Sequence, residues 1–133
     1  MSEKTAAVTH RVTANEYLTV RLVHERQDLD RINPVGEIDL CTAPLLREAL
    51  LDTEDRDVPN VLVDLSRVNF LALAGVHELR AATERRAAEH LRLVVAAPTM
   101  AAQRTLSLTE AADSLEIYLT TTGALSALGS PAV

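Results

Sequence analysis

Leu18, Val20 and Leu22 alternate with Thr19 and Arg21, the two-residue period of a half-buried strand. The polar run R-Q-D-L-D-R at 26–31 predicts a turn, and Ile32 and Val35 before Gly36 predict a second strand, paired with the first as a hairpin. Pro34 inside that strand predicts an edge position or a bulge, because proline has no N–H for a ladder. The period then changes. Leu45, Leu46, Ala49 and Leu50 form one face of a helix that Thr42 is expected to cap and Pro44 to begin, and the polar run 52–57 with Pro59 ends it. Val61, Leu62, Val63 and Leu65 are nearly continuous, as in a strand covered on both faces.

From Gly75 to His90 the spacing of Val76, Leu79, Thr83 and Ala87 is helical, and Leu91, Leu93, Val94 and Val95 predict another buried strand. Pro98 and Thr99 open a third helix through about Thr109, with Thr99 as its cap. A short strand at 117–119 and a helical turn at 122–128 follow. Paired strands followed by alternating strand and helix predict an α/β fold: a small mixed sheet of about four to five strands with flanking α-helices. The expected organisation is a flexible tail over 1–15, one domain over 16–128 and a short tail over 129–133.

A chain of 133 residues, 47% hydrophobic, has the size of a single domain. Its net charge of −6 argues against a nucleic-acid surface. Arg80, Arg85 and Arg86 stand among Glu78, Glu84 and Glu89, which predicts a solvated, salt-bridged helix face. No apolar run approaches the roughly 18 to 20 residues that cross a bilayer, and the first ten residues lack a signal-peptide core. The expectation is a cytoplasmic protein without membrane insertion. The single cysteine, Cys41, excludes an internal disulfide framework, and the absence of Trp with 2% aromatic residues argues against base-stacking platforms.

Candidate chemistry is sparse. His10, His24, His77 and His90 have no ligand spacing, and H-E-L-R-A at 77–81 places Ala81 where a zinc-protease helix needs its second histidine. Neither a G-x-S-x-G turn nor a phosphate-cradling glycine loop occurs, and Ser66 reads as a turn hydroxyl. Cys41 precedes a helix but has no basic neighbour in sequence. Asp64, at the end of a buried strand, is expected to accept loop N–H groups rather than to bind a metal or substrate. These readings predict no metal, no cofactor and no enzymatic activity. They leave N-F-L-A-L-A-G-V at 69–76, a strand-to-helix corner without a hydroxyl or carboxylate between Phe70 and Gly75, where such corners usually carry chemistry.

The series G-E-I-D-L-C-T-A-P-L-L-R-E-A-L, V-L-V-D-L-S-R-V-N-F-L-A-L-A-G-V, L-R-L-V-V-A-A-P and R-T-L-S-L-T resembles the STAS domain family, in particular bacterial anti-sigma factor antagonists, over roughly residues 16 to 128. The resemblance implies a non-enzymatic domain that binds a serine-kinase-type anti-sigma factor, frees a sigma factor for RNA polymerase, and is switched off by phosphorylation of one serine just before the glycine of the corner. In F-L-A-L-A-G-V that acceptor position is Ala74, the preceding serine position is Leu73 and the aspartate position is Ala72. Alanine has no oxygen to receive a phosphoryl group, so the implied antagonist is held in its uncharged form. Expected partner-contacting residues are Glu37, Asp39 and Thr42 of the better-preserved loop together with Ala72, Leu73, Ala74, Gly75 and Val76. Glu37, Asp39 and Thr42 read equally well as a tight turn and a helix cap. Two further readings stand beside it: an adaptor among other STAS or regulatory proteins in a stressosome-like or lipid-transport complex, and a small-ligand or nucleotide sensor using the N–H groups of Gly75 and Val76. The apolar loop also allows a homodimer.

Overall fold

The structure, a computed structural model, describes residues 7–129. One mixed sheet is formed by β1 (Val8–Ala14), β2 (Leu18–Arg26), β3 (Leu29–Ile38), β4 (Asn60–Asp64), β5 (Arg67–Leu71), β6 (Arg92–Ala96) and β7 (Glu116–Tyr118). The helices are α1 (Ala43–Glu54), α2 (Leu73–Ala88), α3 (Met100–Ser107) and α4 (Thr121–Leu128), with a short 3-10 turn at Glu110–Ser114. Strand order is β1-β2-β3-β4-β6-β7, and β5 also pairs with β3. The first two pairings are antiparallel and the remainder parallel. The expected α/β class is therefore present, with seven strands in place of four to five.

The continuous apolar strands are explained by two cores. Val61, Val63, Leu65, Leu93 and Val95 face a large core with Leu46 and Leu50 of α1, Val76 and Leu79 of α2, and Leu106 of α3. Leu62, Val94 and Ala96 face the opposite side, where Leu29 and the Ala124 and Leu128 side chains of α4 meet them. Burial on both faces removes the alternation that a half-exposed strand shows.

Several expectations are corrected. Residues 8–14 are not a tail but an edge strand in register with β2. None of its side chains is fully buried, so no apolar period announces it; Arg11 pairs with Glu48 and Asp52 of α1 instead. Residues 1–6 and 130–133, the rest of the two expected tails, lie outside the described residues. The turn expected over 26–31 contracts to Gln27 and Asp28. Pro34 sits neither at a sheet edge nor at a bulge of the β2–β3 pair. The Glu37 N–H donates to the Tyr17 carbonyl at 3.1 Å, and alternation along the ladder then turns the residue-34 nitrogen away from β2. On that other side β3 leaves β4 after Ile32 and meets β5 only from Val35, so the missing N–H falls in the gap.

On α2 the buried positions are Gly75, Val76, Leu79, Ala82 and Arg86, while Ala87 is exposed. Arg86 is thus not on a solvated face. It is 1% exposed, and its guanidinium donates to the carbonyls of Arg92 (3.2 Å), Val58 (3.0 Å) and Pro59 (3.1 Å), tying the helix end to the starts of β4 and β6. Arg85 reaches across to Glu54 of α1 at 2.9 Å, and Arg80 pairs within the helix with Glu84. The helix stops where Leu91 N–H donates to Arg86 O and His90 N–H to Ala87 O, with His90 at φ 60°.

Gly36 carries the one turn of backbone in β3 that a side chain would block. Its φ is +123°, and a Cβ there would lie 2.2 Å from the Tyr17 carbonyl oxygen. Gly36→Ala is expected to destabilise the domain by about 2–3 kcal/mol, from left-sided backbone strain and the contact it creates. Urea denaturation of the two proteins measures the difference, and an unchanged midpoint would remove the argument.

Candidate functional site

The candidate site lies at the carboxyl ends of β3 and β5, where the loop 37–42 runs beside the start of α2. Three observations hold the two segments together. The Ala72 N–H donates to the Ile38 carbonyl at 2.8 Å. Gly75 packs so closely that a Cβ would come within 2.6 Å of Ile38 Cγ2 and 2.8 Å of Leu71 Cδ1. Glu37 and Ile38 are in register with Phe70 and Leu71. The glycine of the corner thus serves packing: a side chain there would have to push Ile38 and Leu71 aside for the helix start to sit on β3.

The loop 37–42 is organised by Asp39 and Thr42. The Asp39 carboxylate accepts the N–H groups of Cys41 and Thr42, each at 2.9 Å. The Thr42 hydroxyl accepts the Asp39 N–H and donates to the Glu37 carbonyl, each at 2.8 Å. The expected cap is thus altered: Thr42 is the residue before α1, but its side chain takes no helical N–H, and the Ala43 N–H donates instead to the Asp39 backbone carbonyl at 2.8 Å. Cys41 is exposed, and its N–H donates to the Asp39 carboxylate.

At the second segment, Ala72 stands at the N-cap of α2 with φ −89° and ψ 166°, the backbone geometry of a capping residue, yet offers no side-chain acceptor. The N–H groups of Gly75 and Val76 turn back to Ala72 O at 3.0 and 3.4 Å, and those of Leu73 and Ala74 have no acceptor within the helix. The Gly75 and Val76 N–H groups on which an anion site was expected are therefore not free, since both residues are buried and both donors point into the first turn. Around this uncapped end Leu40 is 79% exposed, Phe70 49% and Leu73 47%.

Of the expected contact residues, Glu37 and Leu73 are exposed, Asp39, Ala72 and Ala74 half-buried, and Thr42, Gly75 and Val76 buried. The last three shape the surface without touching what lies outside it. Leu40 and Phe70 were not among the expected residues. An isolated Leu between Asp39 and Cys41 belongs to no period, which is its signal. Among the described residues no group of three or more His, Cys, Asp or Glu could hold a metal, and no helix is long and apolar enough to cross a membrane.

Asp64 is a structural carboxylate. It accepts from Arg31 at 2.6 Å, from the Ser66 N–H at 3.0 Å and from Thr121 at 3.2 Å. Burial alone would raise its pKa, but the Arg31 and Ser66 hydrogen bonds outweigh it and hold the carboxyl below its ordinary value of 3.8. A depressed folded pKa contributes stability that is complete above the ordinary value and is lost as pH falls through the folded one. Asp64→Asn is accordingly expected to flatten the fall of stability with pH below about pH 4, read from urea midpoints in acid; an acid limb identical to the parent's would show that the pair carries no such coupling. Ala72→Asp is expected to stabilise the domain by about 1 kcal/mol through capping of α2, measured by the same denaturation, and a loss of stability would refute the uncapped geometry.

Solved structures with a similar fold are known. An anti-sigma factor antagonist from Mycobacterium paratuberculosis is 28% identical, with 89% of this chain and 99% of that one covered and a TM-score of 0.73. A structure named as a putative anti-sigma factor antagonist from Thermotoga maritima is 18% identical, covering 79% and 91%, with a TM-score of 0.69. SpoIIAA from Bacillus, an anti-sigma factor antagonist solved in unphosphorylated and phosphorylated forms, is 14% identical; in the unphosphorylated form 86% of this chain and 99% of that one are covered, with a TM-score of 0.68. The last two share the fold. No curated protein matches the chain. The STAS domain model matches residues 23–124, from β2 into α4 and across the whole candidate site, and the chain belongs to the STAS domain family.

Proposed function

We propose that this STAS domain is an anti-sigma factor antagonist that docks a serine-kinase-type anti-sigma factor through loop 37–42 and the corner 70–76, and so releases a sigma factor, without a phosphorylation switch. Its role is protein binding rather than catalysis. The observation that carries the reading is the uncharged, exposed corner: Leu40, Phe70 and Leu73 surround a helix N-terminus at which neither Ala72 nor Ala74 supplies an oxygen. The likeness to the mycobacterial antagonist over nearly its whole length supports the same role.

Phosphorylation would add about −1.5 to −2 charge at such a corner. Ala74 keeps the site in the state without that charge, so a partner kinase could not dissociate the complex by modifying it. The apolar rim then supplies contact area, and the buried Thr42, Gly75 and Val76 hold the two segments at fixed separation.

Capture of partners by the tagged chain in its native host, with phosphosites mapped in the same sample, is expected to recover a kinase-type anti-sigma factor and no phosphate on residues 70–76. Recovery of transporter subunits or other STAS proteins alone would refute the partner. With the partner in hand, Ala74→Glu is expected to weaken binding by about tenfold or more, because a charge is then buried in an apolar contact. Titration calorimetry reads this, and unchanged affinity would move the interface elsewhere.

A further inference from the structure

We propose that the uncovered half of the sheet's second face holds a binding site for a small phosphoryl-bearing anion, built on Arg21 and Arg67. On that face α4 packs on β4, β6 and β7 and on Leu29 at the start of β3 through Ala124 and Leu128, whereas no described helix packs there on the rest of β3 or on β2 and β5. A shallow depression of about 260 Å³ lies there, and Arg21, Arg31, Asn33, Val35, Asp64 and Arg67 line it.

Register places these side chains together. Arg21 is opposite Asn33, and Arg67 is opposite Val35, so the two arginines flank one stretch of β3 from either side. Strands are spaced about 4.8 Å apart and the two positions are offset by two residues along β3, which roots the two side chains about 12 Å from each other, within reach of one tetrahedral anion placed between them. Among the described residues no carboxylate pairs with either of them. Asp64 and Glu25, the acidic groups beside the depression, are bonded to Arg31 at 2.6 and 3.1 Å, and Arg31 Nε donates to Asn33 at 3.2 Å. Arg31 thereby engages both nearby carboxylates and Asn33 with three of its N–H donors, and with Arg21 and Arg67 three arginines stand against two carboxylates.

The contrast with the rest of the molecule is specific. Among the described residues eight arginines pair with a carboxylate, and the buried Arg86 binds backbone carbonyls. Arg21, Arg67 and Arg104 are the exposed arginines left without such a partner, and two of the three converge on one depression of a chain with net charge −6. Two like charges facing one hollow repel one another when it is empty, and an anion with oxygens on several sides relieves that repulsion while accepting forked N–H donors from both.

Inorganic pyrophosphate and phosphate, titrated against potassium chloride of matched ionic strength, are the probes. In NMR of the nitrogen-15-labelled full chain, saturable shifts are expected at the Arg21 and Arg67 Nε signals and not at Arg104. The double variant Arg21→Gln/Arg67→Gln, with a melting temperature close to the parent's, is expected to bind about tenfold more weakly or worse, and Arg104→Gln to bind as the parent does. Shifts of equal size at all three arginines, no saturation at millimolar ligand, or unchanged affinity in the double variant would each overturn the site.

Discussion

Strand β3 shares one of its edges between two partners, and the rest of the molecule is arranged around that division. Residues 29–32 run parallel to β4 and residues 35–38 parallel to β5, while β2 lies along the whole of the other edge. A strand can be divided in this way only if the backbone at the junction needs no hydrogen bond on the divided side, which Pro34 satisfies by having no N–H. Gly36 then lets β3 pass close to Tyr17. The outcome is that β5, short and irregular, delivers the chain to the start of α2 directly beside the loop that leaves β3.

That juxtaposition turns the energetics of one helix terminus into a surface property. Ala72 has the dihedral angles of a cap and none of the chemistry, so α2 begins with unpaired donors facing outward. A carboxylate there would add stability, and its absence is consistent with a corner whose use is contact rather than strength. The local stability lost is recovered by burial. Gly75, Val76 and Leu79 descend from the corner into the large core, and Arg86 fastens the far end of the same helix to the strand starts. The helix is thus held by its middle and its end, which leaves its beginning free to be apolar and uncapped.

How much of this could be read along the chain differs from element to element. Strand β2 and the helices α1 and α2 were legible from a period over several positions, the strands β4 and β6 from nearly continuous apolar runs, and helix α3 from its start at Pro98 and Thr99. Strand β5 was not: its buried residues are Val68 and Leu71, three apart, and the register shift opposite Gly36 and Glu37 absorbs the odd residue. Strand β1 was not, because it buries none of its side chains and is held by backbone pairing and by Arg11. The role of Arg86 was hidden for a related reason, since a charged residue among charged residues reads as solvent-facing until the carbonyls that need its donors are brought to it.

By itself the sequence determined the α/β class, the order of the main elements, the glycine at the turn of the corner and the absence of an acceptor oxygen at residues 72 to 74. These are properties of local composition and period, carried by each segment alone. Tertiary structure decided which residues of the corner are available. It buried Thr42, Gly75 and Val76, exposed Leu40 and Phe70, tied Asp64 to Arg31, and set Arg21 and Arg67 on either side of one strand. Exposure and cross-strand pairing depend on what other segments cover and on the register they adopt, and those are set by packing over separations that no local period encodes.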